Sequence, residues 1–505
     1  MGQEIELKLA LPESAQRNFL RHPLLKKAAA RQTYRLINLY YDTPELALRK
    51  RGIGLRLRAQ GKLWLQTIKC AGKSAGGLSS RPEWETPYVG HFDFSMIDNP
   101  SVREWLEQPR HKTRIAPIFE TNFQRIAWHF ELKQGTRVVL TLDRGWIAAG
   151  GRRQAISEVE IELEEGDEGH LFDFAEQFAN RIPLAPAPLS KADRGYRLFK
   201  QTPDTPVKAT QVQLLPDAPP ANAFRQIALS CLDHLQQNHA GAMASGNPEY
   251  IHQMRVATRR LRAALRLFGP LLPSGFDEPL LPPLRELMTA LGRARDYDVL
   301  LAEIAEPVLQ ALPDEPRLAA LVGIITERRF DMRQQALRLL HSPRFGSIVL
   351  HALASINGMK VGSGGTATED LTTIDFAASR LRRLRKKVLG LATCARIDNP
   401  PSLHALRIGI KRLRYALEFF APLASTRAMR RMLTQLVILQ ETLGQINDLA
   451  NAGELLMKCA KDDPRLREAV TLIGGWHGPR HHGLLSSVPV GLKRLGKLRL
   501  PRLKG

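Results

Sequence analysis

The chain has 505 residues, too many for one ordinary domain, so two or three are expected. Its hydrophobic content of 44% is that of a globular protein, and no apolar run approaches the roughly 20 residues that span a bilayer, so no membrane partner is expected. The formal net charge of +23 is unevenly placed: up to residue 205 there are 31 basic and 25 acidic residues, and beyond it 42 and 25. The excess points to a polyanion bound by the second half, whether nucleic acid, polyphosphate or an anionic surface. Cys70, Cys231, Cys394 and Cys459 lack metal-type spacing and read as reduced thiols of a cytoplasmic protein. The N-terminus is charged by its fourth residue, which predicts no signal peptide.

The first predicted strand is Glu4-Ile5-Glu6-Leu7-Lys8-Leu9. Alternate side chains of a strand point to opposite faces, so Glu4, Glu6 and Lys8 share one side and three aliphatic groups the other. A short amphipathic helix follows over Pro12 to Arg21. Tyr40 to Thr43 is β-prone and ends in turn chemistry at Pro44. Gly54 to Arg58 alternates again, with Arg56 and Arg58 on one face. Trp64 to Lys69 places Lys69 in phase with Thr67. Arg81, Glu83 and Glu85 share a parity around Pro82 and Trp84. Phe123 to Leu132 carries Arg125. Thr136 to Ile147 reads as its hairpin partner, with Arg137 near its start and Asp143 before Gly145. Glu158-Val159-Glu160-Ile161-Glu162-Leu163 nearly copies the first strand, and a helix with Leu171, Phe174, Phe178 and Ile182 at helical spacing comes after it.

These strands predict an antiparallel closed β-tunnel of about eight strands with helices outside. One charged strand face is an ordinary solvated surface. Repeated over 160 residues, with carboxylates and guanidinium groups segregated by strand, the pattern suits a charged interior. Carboxylates hold hard divalent cations such as Mg²⁺ or Mn²⁺, and Arg and Lys clamp phosphate oxygens. Together they equip a site for phosphoryl transfer.

Glu4-x-Glu6-x-Lys8, Arg56-x-Arg58, Lys69, Arg125, Asp143, Glu160-x-Glu162 and Ser190-Lys191 make residues 1–200 resemble the CYTH superfamily, the triphosphate tunnel metalloenzymes. The resemblance implies that Glu4, Glu6, Asp143, Glu160 and Glu162 are metal ligands. It makes Lys8, Arg56, Arg58, Lys69, Arg125 and Lys191 the triphosphate ligands, and Glu4, Glu6, Lys8, Arg56, Arg58 and Lys69 the catalytic set. Glu158 shares their phase but ranks lower, as a residue that could lie at the tunnel mouth. Glu83 and Glu85 read equally as internal salt-bridge partners or as functional groups, and Arg137 is left equally open.

Residues 201–221 hold Pro203, Pro206, Pro216, Pro219 and Pro220 and read as a semi-rigid linker. Long amphipathic helices follow over 222–485, as two repeats of about 222–355 and 370–485, and residues 486–505 read as a basic tail. Asn247-Pro248-Glu249 starts a helix that carries His252, Arg255, Arg259, Arg262 and Arg266 as one basic stripe. His404, Arg407, Lys411 and Arg414 repeat that spacing 152 residues later, and Asp296 and Asp448 keep the same offset. A shared offset over some 45 residues marks an internal duplication, with the Gly/Ser-rich stretch 358–365 between the halves. The fold expected overall is α+β: the tunnel, then an all-α, pseudo-symmetric, duplicated helical-bundle domain.

His252-x-x-Arg255 and His404-x-x-Arg407, with the basic residues that continue them, resemble the CHAD domain, the conserved-histidine α-helical domain. That resemblance implies binding of inorganic polyphosphate by His252, Arg255, Arg259, Arg262, His404, Arg407, Lys411 and Arg414. The two stripes lack an aromatic ladder, so no specific nucleic acid is expected. The histidines read either as phosphate donors or as helix-start packing. Asp296 and Asp448 read as orienting the arginines, while Arg380 to Lys387 and the tail could add nonspecific anion affinity.

CYTH joined to CHAD resembles bacterial inorganic triphosphatases. The pairing implies metal-dependent hydrolysis of inorganic triphosphate to pyrophosphate and phosphate. The rivals are a class IV adenylyl cyclase or an organic triphosphatase on the same scaffold, and a non-enzymatic polyphosphate-binding scaffold.

Overall fold

The computed structural model describes residues 2–75, 77–359, 371–424, 426–461 and 463–503. Most of the stretch expected to separate the helical halves, 358–365, lies outside them. By its contacts the chain divides into two compact units, one of residues up to 206 with 340–358, the other of 207–339 with 359 onward.

The first unit is built on ten antiparallel strands: β1 (Gly2–Ala10), β2 (Ala30–Asp42), β3 (Ile53–Gln60), β4 (Leu63–Cys70), β5 (Lys73–Ala75), β6 (Leu78–Pro87), β7 (Ala116–Glu131), β8 (Arg137–Ala149), β9 (Arg152–Glu165) and β10 (Ala185–Pro186). Their order is β10-β1-β9-β8-β7-β2-β3-β4-β6-β5, and β1 also pairs with β6. That extra pairing closes eight strands into a barrel, with β5 and β10 as short additions. The expected closed eight-stranded tunnel is therefore present.

The alternation puts apolar side chains on the outside, under cover. Leu7, Leu9, Leu55, Leu140, Leu142, Val159 and Ile161 face outward and are fully buried. Burial of each such side chain is worth about 1.5–3 kcal/mol. The helices Gln16–Leu20 and Gly169–Ala179 supply part of the cover: Phe19 stacks on Phe178 at 5.5 Å, and Phe174 meets Phe130 of β7 edge-on at 4.9 Å. Around β3, β4 and β6, Ile53, Leu55, Ile68 and Trp84 pack with Phe94, Ile97 and Leu106.

The lumen is charged over only part of its length. Leu36, Tyr40, Phe119, Phe123, Ile147 and Ile156 also have lumen parity, and they cluster with Tyr196 of the helix Lys191–Lys200. One end is thus filled by an apolar plug that this helix completes, leaving a cavity closed at that end rather than an open bore. Gly195 permits the close approach, since a Cβ there would lie 2.1 Å from the Phe119 ring.

The helix Pro343–Asn357 also belongs to the first unit, packing against the helix Gly169–Ala179 and β10. The sequence repeat had set most of it inside the first helical half. Gly346 explains the contact: a Cβ there would stand 1.7 Å from the Leu184 carbonyl oxygen, so only glycine allows this approach.

The second unit is helical. The duplication shows in its elements: Pro248–Phe268 followed by a 3₁₀ turn over Gly269–Leu271, and Pro400–Phe419 followed by one over Ala421–Leu423. Asn247 caps the first of these helices, its Oδ1 accepting from the Glu249 N–H at 2.9 Å. The proline-rich segment is anchored rather than free: Val207 exchanges hydrogen bonds with the Asn238 side chain, and the Ala218 carbonyl accepts from Thr373. The expected tail does not begin at 486, because the helix Pro464–Lys497 runs through it.

Candidate functional site

The strand register decides which charges meet. Glu4 lies opposite Arg81, Lys8 opposite Glu160, Lys69 opposite Glu83, and Arg125 opposite Asp143. All these residues point into the lumen. There Glu4, Glu6, Lys8, Arg56, Arg58, Lys69, Arg125, Glu160, Glu162 and Lys191 line one cavity of about 300 Å³. Asp143 reaches the same group through its ion pairs. The structure thus brings together every barrel residue singled out as metal ligand, phosphate ligand or catalytic group.

Two acidic clusters are separated by cations. In the first, Glu4 takes Lys69 Nζ at 2.6 Å and Arg81 Nε at 3.2 Å, while Glu6 takes Arg81 at 2.7 Å and Lys8 at 3.3 Å. In the second, Asp143, Glu158 and Glu160 each offer an oxygen within 4.8 Å of the others. Lys191 Nζ sits among all three, at 2.6, 2.5 and 3.0 Å, and Arg125 bridges Asp143 and Glu160. Lys8 links the clusters, 3.1 Å from Glu160. Hard oxygen donors grouped this closely fit a divalent cation.

Burying so many charges costs several kcal/mol per ion unless partners compensate. The titration of the groups reflects that balance. Burial opposes ionisation of Glu160, yet Lys191, Lys8 and Arg125 hold its carboxyl well below the usual range. Lys8 and Lys191 are raised against the burial penalty by the carboxylates around them. Glu162 behaves in the opposite way. Burial first, then Glu4, pushes it up to about 7, and Lys69 and Arg125 offset this only in part. Arg58 falls to about 10 through burial and the neighbouring Arg56 and Arg125, and its Nε donates to Asn38 Oδ1 at 3.1 Å. Arg56 Nε is buried and meets no acceptor among the described residues. A cationic donor held this way is set for an anion.

Several residues change standing. Glu158 is 3% exposed and belongs to the second acidic cluster, not to the mouth. Arg81 and Arg194 lie outside the motif residues, yet Arg81 clamps Glu4 and Glu6, and Arg194 holds Glu158 at 3.1 Å. Arg81 shared the parity of Glu83 and Glu85, which was a usable signal; Arg194 follows Lys191 on a helix and carried none. Glu83 pairs with Lys69 and Arg56, and Glu85 with Arg58, as internal salt bridges. Arg137 pairs with Glu165 on the surface, away from the cavity.

In the second unit the basic stripes of Pro248–Phe268 and Pro400–Phe419 converge. Arg255 feels Arg259, Asp296, Asp448 and Arg407, and Lys411 feels Arg259, Arg407, Arg255 and Arg414. Burial and those four arginines push Lys411 down to about 7. The Nε atoms of Arg255 and Arg407 and His252 Nδ1 are buried without a hydrogen-bond partner among the described residues. Burial, then Arg295, lowers His252 to about 4. His404 is exposed, with Nδ1 3.3 Å from Asn447 Oδ1. The charged neighbours of Arg262 are Arg266 and Arg285, so it stands apart from the convergence, and Arg414 is partly engaged by Glu418 at 3.0 Å.

Comparisons with known proteins give two family matches. Residues 2–196 match the family model described as the CYTH domain, and residues 226–457 the one described as the CHAD domain. A protein of Haemophilus influenzae named inorganic triphosphatase is 34% identical over 198 residues, which is 39% of this chain and 55% of that one. The chain thus spans about half the length of this curated relative. The crystal structure of the CHAD domain from the plant Ricinus communis is 32% identical with a TM-score of 0.50, covering 60% of this chain and 100% of that chain.

Proposed function

We propose that this chain, which carries a CYTH domain followed by a CHAD domain, hydrolyses inorganic triphosphate in its barrel and binds inorganic polyphosphate on its helical unit. The observation that carries the reading is the convergence of both charge signs on one cavity of about 300 Å³. A divalent cation, Mg²⁺ or Mn²⁺, held by Glu4, Glu6 and Glu162 or by Asp143, Glu158 and Glu160, would supply charge that neutralises phosphate oxygens. Glu162, which burial and then Glu4 push up to about 7, would be favoured in its charged form by an added cation.

The chain's own residues do the rest. Lys8, Arg56, Arg58, Lys69, Arg81, Arg125 and Lys191 bind the triphosphate oxygens and orient the terminal phosphorus for attack by water. Their fixed positive charge also stabilises the departing pyrophosphate. The carboxylates now paired with Lys191 and Lys69 would exchange those ammonium groups for a divalent cation and release them to the substrate. The aromatic plug of Tyr40, Phe119, Phe123 and Tyr196 keeps water from entering through that end.

Polyphosphate binding is supported by the convergence of Arg255, Arg259, Arg407 and Lys411, with buried guanidinium donors left without acceptors. A linear polyanion satisfies such donors without bases to stack or read. Two sets of variants test the assignment. Glu4→Ala or Glu160→Ala should abolish triphosphate turnover and spare polyphosphate binding. Arg255→Ala with Arg407→Ala should weaken polyphosphate binding and flatten its salt dependence while turnover persists. Loss of both activities in either variant would contradict two independent sites.

A further inference from the structure

The second unit contains an apolar pocket that the polyanion reading does not use. It has a volume of about 630 Å³, within the range of small-molecule sites. Aliphatic side chains of the helices Thr426–Ala460 and Pro464–Lys497 make most of its wall, among them Leu443, Ile446, Leu456 and Ile473. Arg407 and His404 line it as well, so one part of the wall is cationic and continuous with the basic convergence.

Gly453, Gly474 and Gly478 line the open side of the pocket: all three are exposed, and a Cβ on any of them would meet nothing within 4 Å. Glycine disfavours a helix interior, yet these three exposed positions keep that side free of side chains. Gly474 and Gly478 are four residues apart and so lie on one helix face. His477, on the same face, is not available as a ligand, since its Nε2 is engaged by the Ile304 carbonyl at 2.9 Å. Arg407 is available, because its Nε is buried with no acceptor among the described residues.

We propose that this pocket binds a small amphiphilic anion, an apolar chain or ring system ending in a phosphate or carboxylate. The body lies along the aliphatic wall, entering past the glycines, and the head pairs with Arg407 beside His404. The inference stands on the pocket and does not depend on turnover in the barrel.

The test is calorimetric titration of the full chain with decyl phosphate and with decanoate, each below its micelle concentration. Saturable binding of either at one site per chain is expected, with decyltrimethylammonium and butyl phosphate at least roughly tenfold weaker. Gly474→Leu, which places a side chain across the open side of the pocket, should reduce binding at least roughly tenfold while polyphosphate binding and the thermal midpoint hold. Gly478→Leu serves as a second filling variant if the first unfolds. Arg407→Gln should weaken the anion and leave the residual affinity of the cationic analogue unchanged. The proposal is overturned by no saturable binding of either anion, by equal binding of the cationic analogue, or by unchanged binding in a folded filling variant.

Discussion

At the scale of single residues, two titrating groups give the protein its pH dependence. Glu162 moves from an ordinary 4.5 to about 7, so the metal-free native state holds its proton across that window. An acid raised in this way makes stability fall as pH rises through the window. At pH 8 the charged carboxylate therefore destabilises the metal-free barrel, by an order of 1–3 kcal/mol after allowance for its partial exposure. Glu162→Gln should raise the thermal midpoint at pH 8 and leave it unchanged near pH 4.5, while added Mg²⁺ or Mn²⁺ should stabilise the wild type more than the variant. Thermal unfolding at the two pH values, with and without metal, checks this. Lys411 moves the other way, from 10.5 to about 7, and is mostly neutral at pH 8. An approaching polyphosphate favours the charged form, so binding at pH 8 should take up roughly one proton per site and tighten toward pH 6. Calorimetry in buffers of different ionisation enthalpy reads that proton, and Lys411→Arg should abolish the uptake while binding persists. Much of this was legible in the sequence: Glu4, Glu6, Lys8, Arg56, Arg58, Lys69 and Glu160 announced themselves by parity. Arg194 was not, because its partner Glu158 is 36 residues away and only the turn into the helix Lys191–Lys200 brings them together.

At the scale of elements, the helix Lys191–Lys200 matters most, since it both plugs the lumen and delivers Lys191. Ser190 and Asp193 form a capping box at its start, with both bonds at 3.0 Å. Tyr196 ties its middle to the buried Asp42, and Gly195 lets it sit on Phe119. Gly195→Ala should therefore push the helix off the ring, costing about 1–3 kcal/mol of stability by overpacking. It should also displace Lys191 from Asp143 and Glu160, so kcat for triphosphate should fall by more than the fraction unfolded accounts for. Steady-state kinetics beside a thermal melt separate the two effects. The strands themselves were readable from alternation, although β2 and β7 begin well before their charged or aromatic ends suggested. The apolar plug was not readable. Leu36, Phe119, Phe123 and Ile147 have the parity of the charged residues, and a period of two cannot tell an apolar lumen end from an outer face.

At the scale of the whole molecule, the boundary of the first unit does not follow the linear repeat. Residues 340–358 lie far along the chain, yet they pack with the barrel unit through Gly346. Their helix was legible as a helix, but its assignment depended on a close backbone approach that no hydrophobic pattern encodes. A fragment ending at residue 206 lacks that helix and should unfold at a lower temperature than the barrel within the full chain, as should Gly346→Leu. Differential scanning calorimetry of fragment, variant and wild type tests this. The duplication in the second unit was fully legible, since an offset of 152 survives from His252 and His404 to Asp296 and Asp448.

If the charged cavity cleaves a phosphoanhydride of inorganic triphosphate, the products identify the reaction. Full-length protein offered triphosphate, ATP and thiamine triphosphate, each with Mg²⁺ and with Mn²⁺, decides it. Metal-dependent release of phosphate and pyrophosphate is expected, fastest from triphosphate and lost in Glu160→Ala. Cyclic AMP as the main product, or no release from any of the three, would contradict it.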